Sequence, residues 1–306
     1  MGRLLAIRLA RAALTIVIVI SFAFVILRAS GDPAQLILGP DTPPEALAAF
    51  RQAWGLDRPL PVQYVRYVIA ILRGDLGVSM RDGTPALAMV ASRIPATLQL
   101  MVPALLLNIL IGVPAGVLAA LRRGSLTDRL LMLGAVAGFT VPTFVLGLVL
   151  VLIFAVSLHW LPSSGWSGPA SAVLPVVTLG LGGAAVLARF TRSAMLEVLG
   201  RPYIRAASAK GLTWRQVITS HALPNAAIPT VTIIGFMVGG LMAGAVVTES
   251  VFAWPGLGQL LVIAVASRDL AVVQVILLLV AVTMVAANLV VDLLYGVLDP
   301  RLRGGG

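Results

Sequence analysis

The chain has 306 residues, 59% of them hydrophobic, a mean hydropathy of +1.02 and only 11% charged side chains. A soluble domain carries more than twice that charge and could not hide so much apolar surface, which leaves a polytopic membrane protein. The net charge of +10 does not signal nucleic acid, because the basic residues sit beside apolar stretches without an aromatic platform, and the lack of cysteine excludes disulfides, iron–sulfur clusters and thiolate metal sites.

The first apolar stretch, 9–28, follows Arg3, Arg8 and Arg11 in the manner of a signal peptide. It is too long for one, and no clean small-residue cleavage site follows, so it reads as a retained signal-anchor helix. Residues 29–97 then contain Gly31-Asp32-Pro33, Pro43-Pro44, Gly55-Leu56-Asp57-Arg58-Pro59 and Gly74-Asp75-Leu76-Gly77, all turn and helix-stop signals. They bound amphipathic runs over 43–54 and 60–73, and residues 84–94 are expected to lie along the membrane surface as a third. Length and signals predict a folded helical cap. Its expected core is Trp54, Leu56, Leu60 and Tyr64, and Gly74 and Gly77 are expected to end the second helix.

Five more spans read at 98–121, 130–157, 172–191, 228–248 and 271–297, each long enough to cross about 30 Å of hydrocarbon. Pro103 and Pro114 in the second, Pro142 in the third and Pro175 in the fourth each remove a backbone donor and can bend a helix. Gly180-Leu181-Gly182-Gly183 reads as close helix packing. Polar residues within the spans are few. Asn108 and Asn288 are candidates for helix–helix hydrogen bonds or for the translocation path, and Asp292 is expected to reach the interface. Thr248 and Glu249 end the fifth span, either as a gate or as an anchor for residues 250–258. Trp254-Pro255-Gly256-Leu257-Gly258 predicts a re-entrant or half-helical turn with Trp254 at the interface.

Positive charge sets the expected orientation. The ends and loops carrying Arg3, Arg8 and Arg11, then Arg122, Arg123 and Arg129, then Arg189 to Arg215, then Arg301 and Arg303, fall inside, whereas 158–171 has no basic residue and 249–270 has only Arg268. Both termini are then cytoplasmic. His159 and His221 fall on opposite sides and cannot share a metal or a proton relay. There is no catalytic set and no phosphate-binding Gly-x4-Gly-Lys-Ser/Thr loop, so the chain is expected not to hydrolyse ATP itself and to be no enzyme.

The polar, basic island between spans four and five is the most telling stretch. It reads Arg205-Ala206-Ala207-Ser208-Ala209-Lys210-Gly211, nine residues, then His221-Ala222-Leu223-Pro224. Small residues at 206, 207, 209 and 211 let another protein approach, and Pro224 is expected to stop one helix before the next span. Here the chain resembles the permease subunits of bacterial ABC importers, whose signature is Glu-Ala-Ala, three residues, Gly, nine residues, Ile, one residue, Leu-Pro. Ala206, Ala207, Gly211, Leu223 and Pro224 are on pattern. Arg205 stands for the Glu and His221 for the Ile, as in the dipeptide/oligopeptide (and nickel) branch. Gln63-Tyr64, Gly74-Asp75-Leu76-Gly77, Thr248-Glu249-Ser250-Val251-Phe252 and Pro255-Gly256-Leu257-Gly258 extend the likeness over nearly the whole chain.

The resemblance implies an all-α polytopic membrane protein with six transmembrane helices, the type I ABC importer permease fold, and a small helical extracytoplasmic insertion after the first span. The expected divisions are a helix over 1–28, the insertion 29–97, a five-helix core over 98–297 with a coupling loop 192–224, and a cytoplasmic tail 298–306. A coupling helix over 205–219 would meet the ATPase through Arg205, Ala206, Ala207, Lys210, Gly211, His221, Leu223 and Pro224. The implied partners are a homologous second permease subunit forming a heterodimer, cytoplasmic ATPase subunits that bind ATP and Mg, an extracytoplasmic solute-binding protein, and lipid of the bacterial cytoplasmic membrane. This subunit would hold no cofactor. The expected cargo is di- or oligopeptides, with nickel, an opine, glutathione or haem as alternatives. A proton-coupled secondary transporter or a channel is the competing class. Against it stand the scarcity of titratable residues in the spans and the absence of an evident inverted repeat.

Overall fold

The computed structural model describes residues 2–29, 31–39 and 41–298. Of the expected tail, residues 299–306 with Arg301 and Arg303 lie outside the described residues, as do the side chains of Arg3, Arg8 and Asp292. The described chain is helical: α1 (Gly2–Ala29), α2 (Pro33–Leu38), α3 (Pro44–Ala53), α4 (Leu60–Leu72), α5 (Ala86–Leu121), α6 (Leu126–Thr140), α7 (Thr143–Leu150), α8 (Val173–Leu199), α9 (Pro202–Ala209), α10 (Trp214–Val217), α11 (Leu223–Val251), α12 (Leu257–Ala266) and α13 (Leu270–Leu298). It divides into two compact units, Met1–Ala96 with Pro255–Val285, and Thr97–Trp254 with Ala286–Gly306.

In the first unit, Asp32 caps α2 by accepting from the Ala34 N–H at 3.0 Å and pairs with Arg51 of α3, whose Nε lies 2.8 Å away. Tyr64 of α4 bonds Ser21 of α1 at 2.6 Å, and its ring meets Phe24 edge-on at 5.4 Å, while Tyr67 stacks on Phe24 at 5.7 Å. The cap core expected from Trp54, Leu56, Leu60 and Tyr64 does not form. Neither α3 nor α4 holds a buried residue, and Leu60 is 56% exposed. Helices of 10 and 13 residues are too short to enclose a core between them, so α4 leans its tyrosines on α1 instead. Gly74 and Gly77 do end α4 and turn the chain, at φ +79° and +80°, where a side chain would be strained. Beyond them buried Ser79 donates to Asp82 at 2.5 Å and also bonds buried Asp269.

The surface helix expected over 84–94 is instead the first part of α5. Ala86 and Val90 are buried with Leu257, Leu260 and Ala264 of α12 and Val272, Val273 and Ile276 of α13. Pro95 is a stop signal within this stretch, yet the helix passes through it, and one 36-residue helix results.

The second unit is organised by α8. Leu187, Ala188, Thr191 and Met195 are buried along one face at helical spacing. Glycines on both sides bring α5 and α8 together. A Cβ on Gly112 would lie 2.8 Å from the Ala184 carbonyl, and one on Gly180 would strike Leu107. The close-packing reading of Gly180 and Gly183 therefore holds, whereas Gly182 faces open space.

The third span is not one helix. Val141 is extended, as the residue before a proline prefers, and α6 and α7 meet across Val141-Pro142 at 101°. Val151–Ser157 continues α7 as a wider π-type turn. Four helical stretches among the described residues are long and apolar enough to cross a membrane, Ala86–Leu121, Pro169–Leu199, Trp214–Val251 and Leu270–Val290, and the bent pair makes a fifth. Trp254 is fully buried, its ring edge-on to Trp166 at 5.1 Å. The half-helix expected after it is α12.

Candidate functional site

Residues 200–226 form two helices and a turn. Pro202 opens α9 at its first position, where a missing N–H costs nothing. Ile204 and Ala207, three apart, turn inward. They pack with Val217, Ala222 and Ala226 against Ala120 of α5 and Met195 of α8. Arg205, Ala206, Ala209, Lys210 and Gly211 are exposed. Gly211 ends α9 in the left-handed region at φ +85°, its N–H donating to the Ser208 carbonyl at 3.0 Å. Thr213 then caps α10 in a reciprocal box with Gln216, whose Oε1 accepts from the Thr213 N–H at 2.9 Å.

This corrects two expectations. The single coupling helix over 205–219 is broken at Gly211, because a helix cannot pass through φ +85°. Pro224 does not stop a helix. The chain stays helical from Trp214 to Val251, and Ile218–Ala222 widens so that the Leu223 N–H bonds the Ile218 carbonyl five residues back. A proline ring at 224 would press on the carbonyl of Ser220 in a regular α-turn, and the wider turn relieves that contact. The Asn225 amide fills the resulting gap by donating to the His221 carbonyl at 2.7 Å.

Of the residues expected to form the docking surface, Arg205, Ala206, Lys210, Gly211 and Pro224 are exposed, His221 and Leu223 are half-buried, and Ala207 belongs to the interior. Three exposed apolar side chains flank the turn and escaped the sequence reading: Tyr203, Leu212 and Trp214, the last 56% exposed. Large apolar residues inside an otherwise polar island were the signal available.

Arg192 was read only as an inward-facing charge. It in fact makes a two-pronged bridge, Nε to Asp128 Oδ1 at 2.7 Å and Nη2 to Oδ2 at 2.8 Å. Asp128 is buried in the first turn of α6 and also accepts from the Gly124 N–H at 2.9 Å. The bridge ties the start of α6 to α8, one turn before Met195. Arg192→Gln is expected to lower the unfolding temperature of the purified protein by several degrees, because it leaves a buried carboxylate uncompensated. Arg192→Lys should recover only part of the loss, since an ammonium cannot supply the fork. Thermal unfolding in detergent checks both, and an unchanged Arg192→Gln midpoint would show the bridge to be idle.

In the interior of the same unit, Glu249 is fully buried and accepts from Thr97 Oγ1 at 2.7 Å, while its backbone carbonyl accepts from the Trp254 N–H at 2.8 Å. Thr248 beside it is buried as well. The backbone contact holds the first residues after α11 against its last turn. Asn288 is exposed on α13. Asn108 is 0% exposed and sits against Gly183, where an added Cβ would lie 2.4 Å from its amide nitrogen. It also lines a cavity of about 310 Å³ bounded by Phe139, Gly182, Met237, Gly240 and Gly244.

Comparison with known proteins bears on the whole chain. Residues 112–304 match the family described as binding-protein-dependent transport system inner membrane component, and residues 1–101 match the N-terminal region described for such membrane components. The glutathione transport system permease protein GsiC of Salmonella paratyphi A is 44% identical over 290 residues, covering 95% of this chain and 94% of that protein. A probable peptide ABC transporter permease protein of Sinorhizobium fredii is 41% identical over 291 residues, covering 92% and 93%. Among solved structures, the inward-facing methionine ABC transporter MetNI aligns with a TM-score of 0.55 at 22% identity over 70% of this chain and 98% of that one. An amino acid ABC transporter crystallised with histidines gives 0.54 at 18% identity over 68% and 94%. At those identities the structures speak for the fold, and they agree with the helices described. With family matches covering both parts of the sequence and relatives aligned almost end to end, the chain belongs to the binding-protein-dependent transport system inner membrane components, the non-catalytic permease subunits of ABC importers.

Proposed function

We propose that this permease carries short peptides or peptide-like molecules such as glutathione, as the names of its relatives suggest, and that residues 201–217 are its docking surface for the ATPase. One observation carries the second statement. The chain spends Ile204, Ala207 and Val217 on its own interior and leaves a basic, glycine-ended turn, Arg205 to Gly211, projecting from it. A segment anchored in this way can transmit a push to α8 and α11, the helices it joins. Closure of the ATPases on ATP would then shift the permease between outward and inward access. A nucleotide moves that balance only by its differential affinity for the two states.

In this reading α1 and the bent α6–α7 pair are each one span, which gives six with α5, α8, α11 and α13. Helices α2 to α4 form the extracytoplasmic insertion that the solute-binding protein meets. A homologous permease completes a heterodimer, lipid of the bacterial inner membrane surrounds it, and ATP and Mg stay on the ATPases, leaving this subunit without a cofactor. Thr248, Glu249 and Asn288 serve the packing of the path's walls or its gate. The decisive experiment reconstitutes the assembled complex in liposomes with loaded binding protein. Uptake of a labelled peptide that requires ATP supports the proposal. Uptake by this chain alone, driven by a proton gradient, would make it a secondary transporter.

Orientation has its own test. Cysteine placed at exposed Ser164 is expected to react with a membrane-impermeant maleimide added outside, and cysteine at exposed Ser208 only after the membrane is opened. The native chain has no cysteine to obscure the result. The opposite pattern would place both termini outside and remove residues 201–217 from the ATPase.

A further inference from the structure

A cation stands beside the cavity of about 310 Å³ bordered by α5, α6, α8 and α11. Phe139 of α6 lines that cavity, and the guanidinium carbon of Arg189 on α8 lies 5.5 Å from the centroid of its ring. Gly182, another lining residue, precedes Arg189 by two helical turns, so the two share one stripe of α8 about 10 Å apart along its axis. Past Arg189 the helix runs on to Arg192, paired with Asp128, and to Met195, packed with the proposed docking segment. Arg189 therefore lies between the cavity and the segment proposed to meet the ATPase. Its partner sets it apart from its neighbour. Arg192 holds a carboxylate in both prongs. Arg189 is exposed, and among the described residues it meets an aromatic face and no carboxylate. A ring quadrupole orients a cation without cancelling its charge. The cavity does not cancel it either, since no charged side chain lines it.

We infer that Arg189 is an exit-side subsite for the carboxylate of the peptide cargo, an inference that rests on the peptide-import reading above. Short peptides of any sequence end in a carboxylate, and an uncharged cavity has nothing with which to hold one. A guanidinium presents paired N–H donors that match the two oxygens of a carboxylate. On the docking-segment side of the cavity it meets that charge as the peptide leaves and draws the molecule toward the cytoplasm. Phe139 serves twice, as part of the cavity wall and as the seat that positions the cation. Such a subsite reads a group that every peptide carries and leaves the side chains unread. A cation near the cytoplasmic end of a span is also an ordinary marker of orientation, but a charge with that role alone does not distinguish one peptide from another.

The test uses that difference. Maximal uptake rates of a tripeptide and of its C-terminal amide are compared in liposomes holding the assembled complex, ATP and saturating loaded binding protein. Arg189→Gln is expected to lower the acid-to-amide ratio about threefold relative to wild type, the factor an exposed ion pair supplies. Arg189→Lys keeps the charge without the fork, so its ratio should fall between the two. Phe139→Leu leaves the charge but removes its seat, and should lower the ratio as well. Any selectivity of the binding protein is common to all the permeases and cancels in the comparison. An unchanged ratio in Arg189→Gln overturns the inference, including the case in which both peptides slow equally, the result expected of an orientation marker or of a contact with the second permease. A second measurement needs no variant. A tripeptide with a diazirine on its C-terminal residue is expected to label α6 or α8 beside Phe139 and Arg189 in the wild-type complex. Labelling confined to other segments overturns the inference even if the variants fail to assemble. If the wild type moves neither peptide but does move another cargo with ATP, the peptide reading itself fails, a result distinct from the others.

Discussion

Gly211→Arg is expected to leave the complex assembled, inserted and hydrolysing ATP while peptide uptake falls at least about tenfold. Two effects combine at this position. The backbone is at φ +85°, where a residue with a Cβ is strained by about 1–2 kcal/mol. That is small beside the roughly 5–15 kcal/mol of a folded domain, so the strain does not unfold the protein. A Cβ added there would meet nothing within 4 Å, so no packing is lost in the permease itself. The damage falls outside the chain, on the proposed docking surface, where a long cation would hold α9 and α10 away from a close-fitting partner. Gly211→Asn separates the two effects, because asparagine tolerates the left-handed region and adds little bulk; it should keep most of the uptake. ATP hydrolysis and uptake measured in the same liposomes give the coupling ratio. Full uptake by Gly211→Arg would remove the turn from the partner interface.

Gly116→Leu is expected to have the opposite character, with no assembled complex recovered. The conformation here is an ordinary helix, and the obstacle is space. A Cβ would stand 2.5 Å from the Ala188 carbonyl oxygen and 2.7 Å from the Thr191 Cβ. Carbonyl oxygens of a helix cannot rotate away as a side-chain tip can, so α5 and α8 would have to separate along their seam. Overpacking of this kind commonly costs about 1–3 kcal/mol even where neighbours can yield. Between membrane helices the loss is magnified, because close approach is what holds them together when lipid is as apolar as the side chains. Gly240→Leu is the matched control: a Cβ at Gly240 meets nothing within 4 Å, and that variant should assemble. Size-exclusion profiles of the two variants in detergent check the contrast. A normal profile for Gly116→Leu would show that the seam can open without loss of the fold.

Much of the fold could be read in the sequence because membrane helices announce themselves by length and apolarity. The glycine pair 180 and 183 was legible for the same reason, small residues at helical spacing in an apolar run. Failures came where one residue's local preference met a tertiary arrangement. Pro224 signals a stop, but a single wider turn over Ile218–Ala222 lets the helix pass. Pro142 signals a kink, but its size, 101°, depends on the packing around α7. Leu60 and Tyr64 looked like the core of a cap because they are apolar and periodic; the pattern could not say that one would stay exposed and the other would lean on α1. At the proposed docking surface the order reversed. The motif located the segment, and the structure was needed to see that Ala207 faces inward and that Tyr203, Leu212 and Trp214 face out. The Asp128–Arg192 bridge was invisible because its members are 64 residues apart and nothing local pairs them.

The division of α9 into two faces bears on how such a subunit can change the company it keeps. Ile204 and Ala207 answer to the permease's own interior. Arg205, Ala206, Ala209 and Lys210 answer to whatever lies outside it. Substitutions that adapt the outer set to a new ATPase need not disturb the inner set. Fidelity of pairing and integrity of the fold are thus independent variables within a single eight-residue helix, and a lineage of importers can diversify the first without drawing on the second.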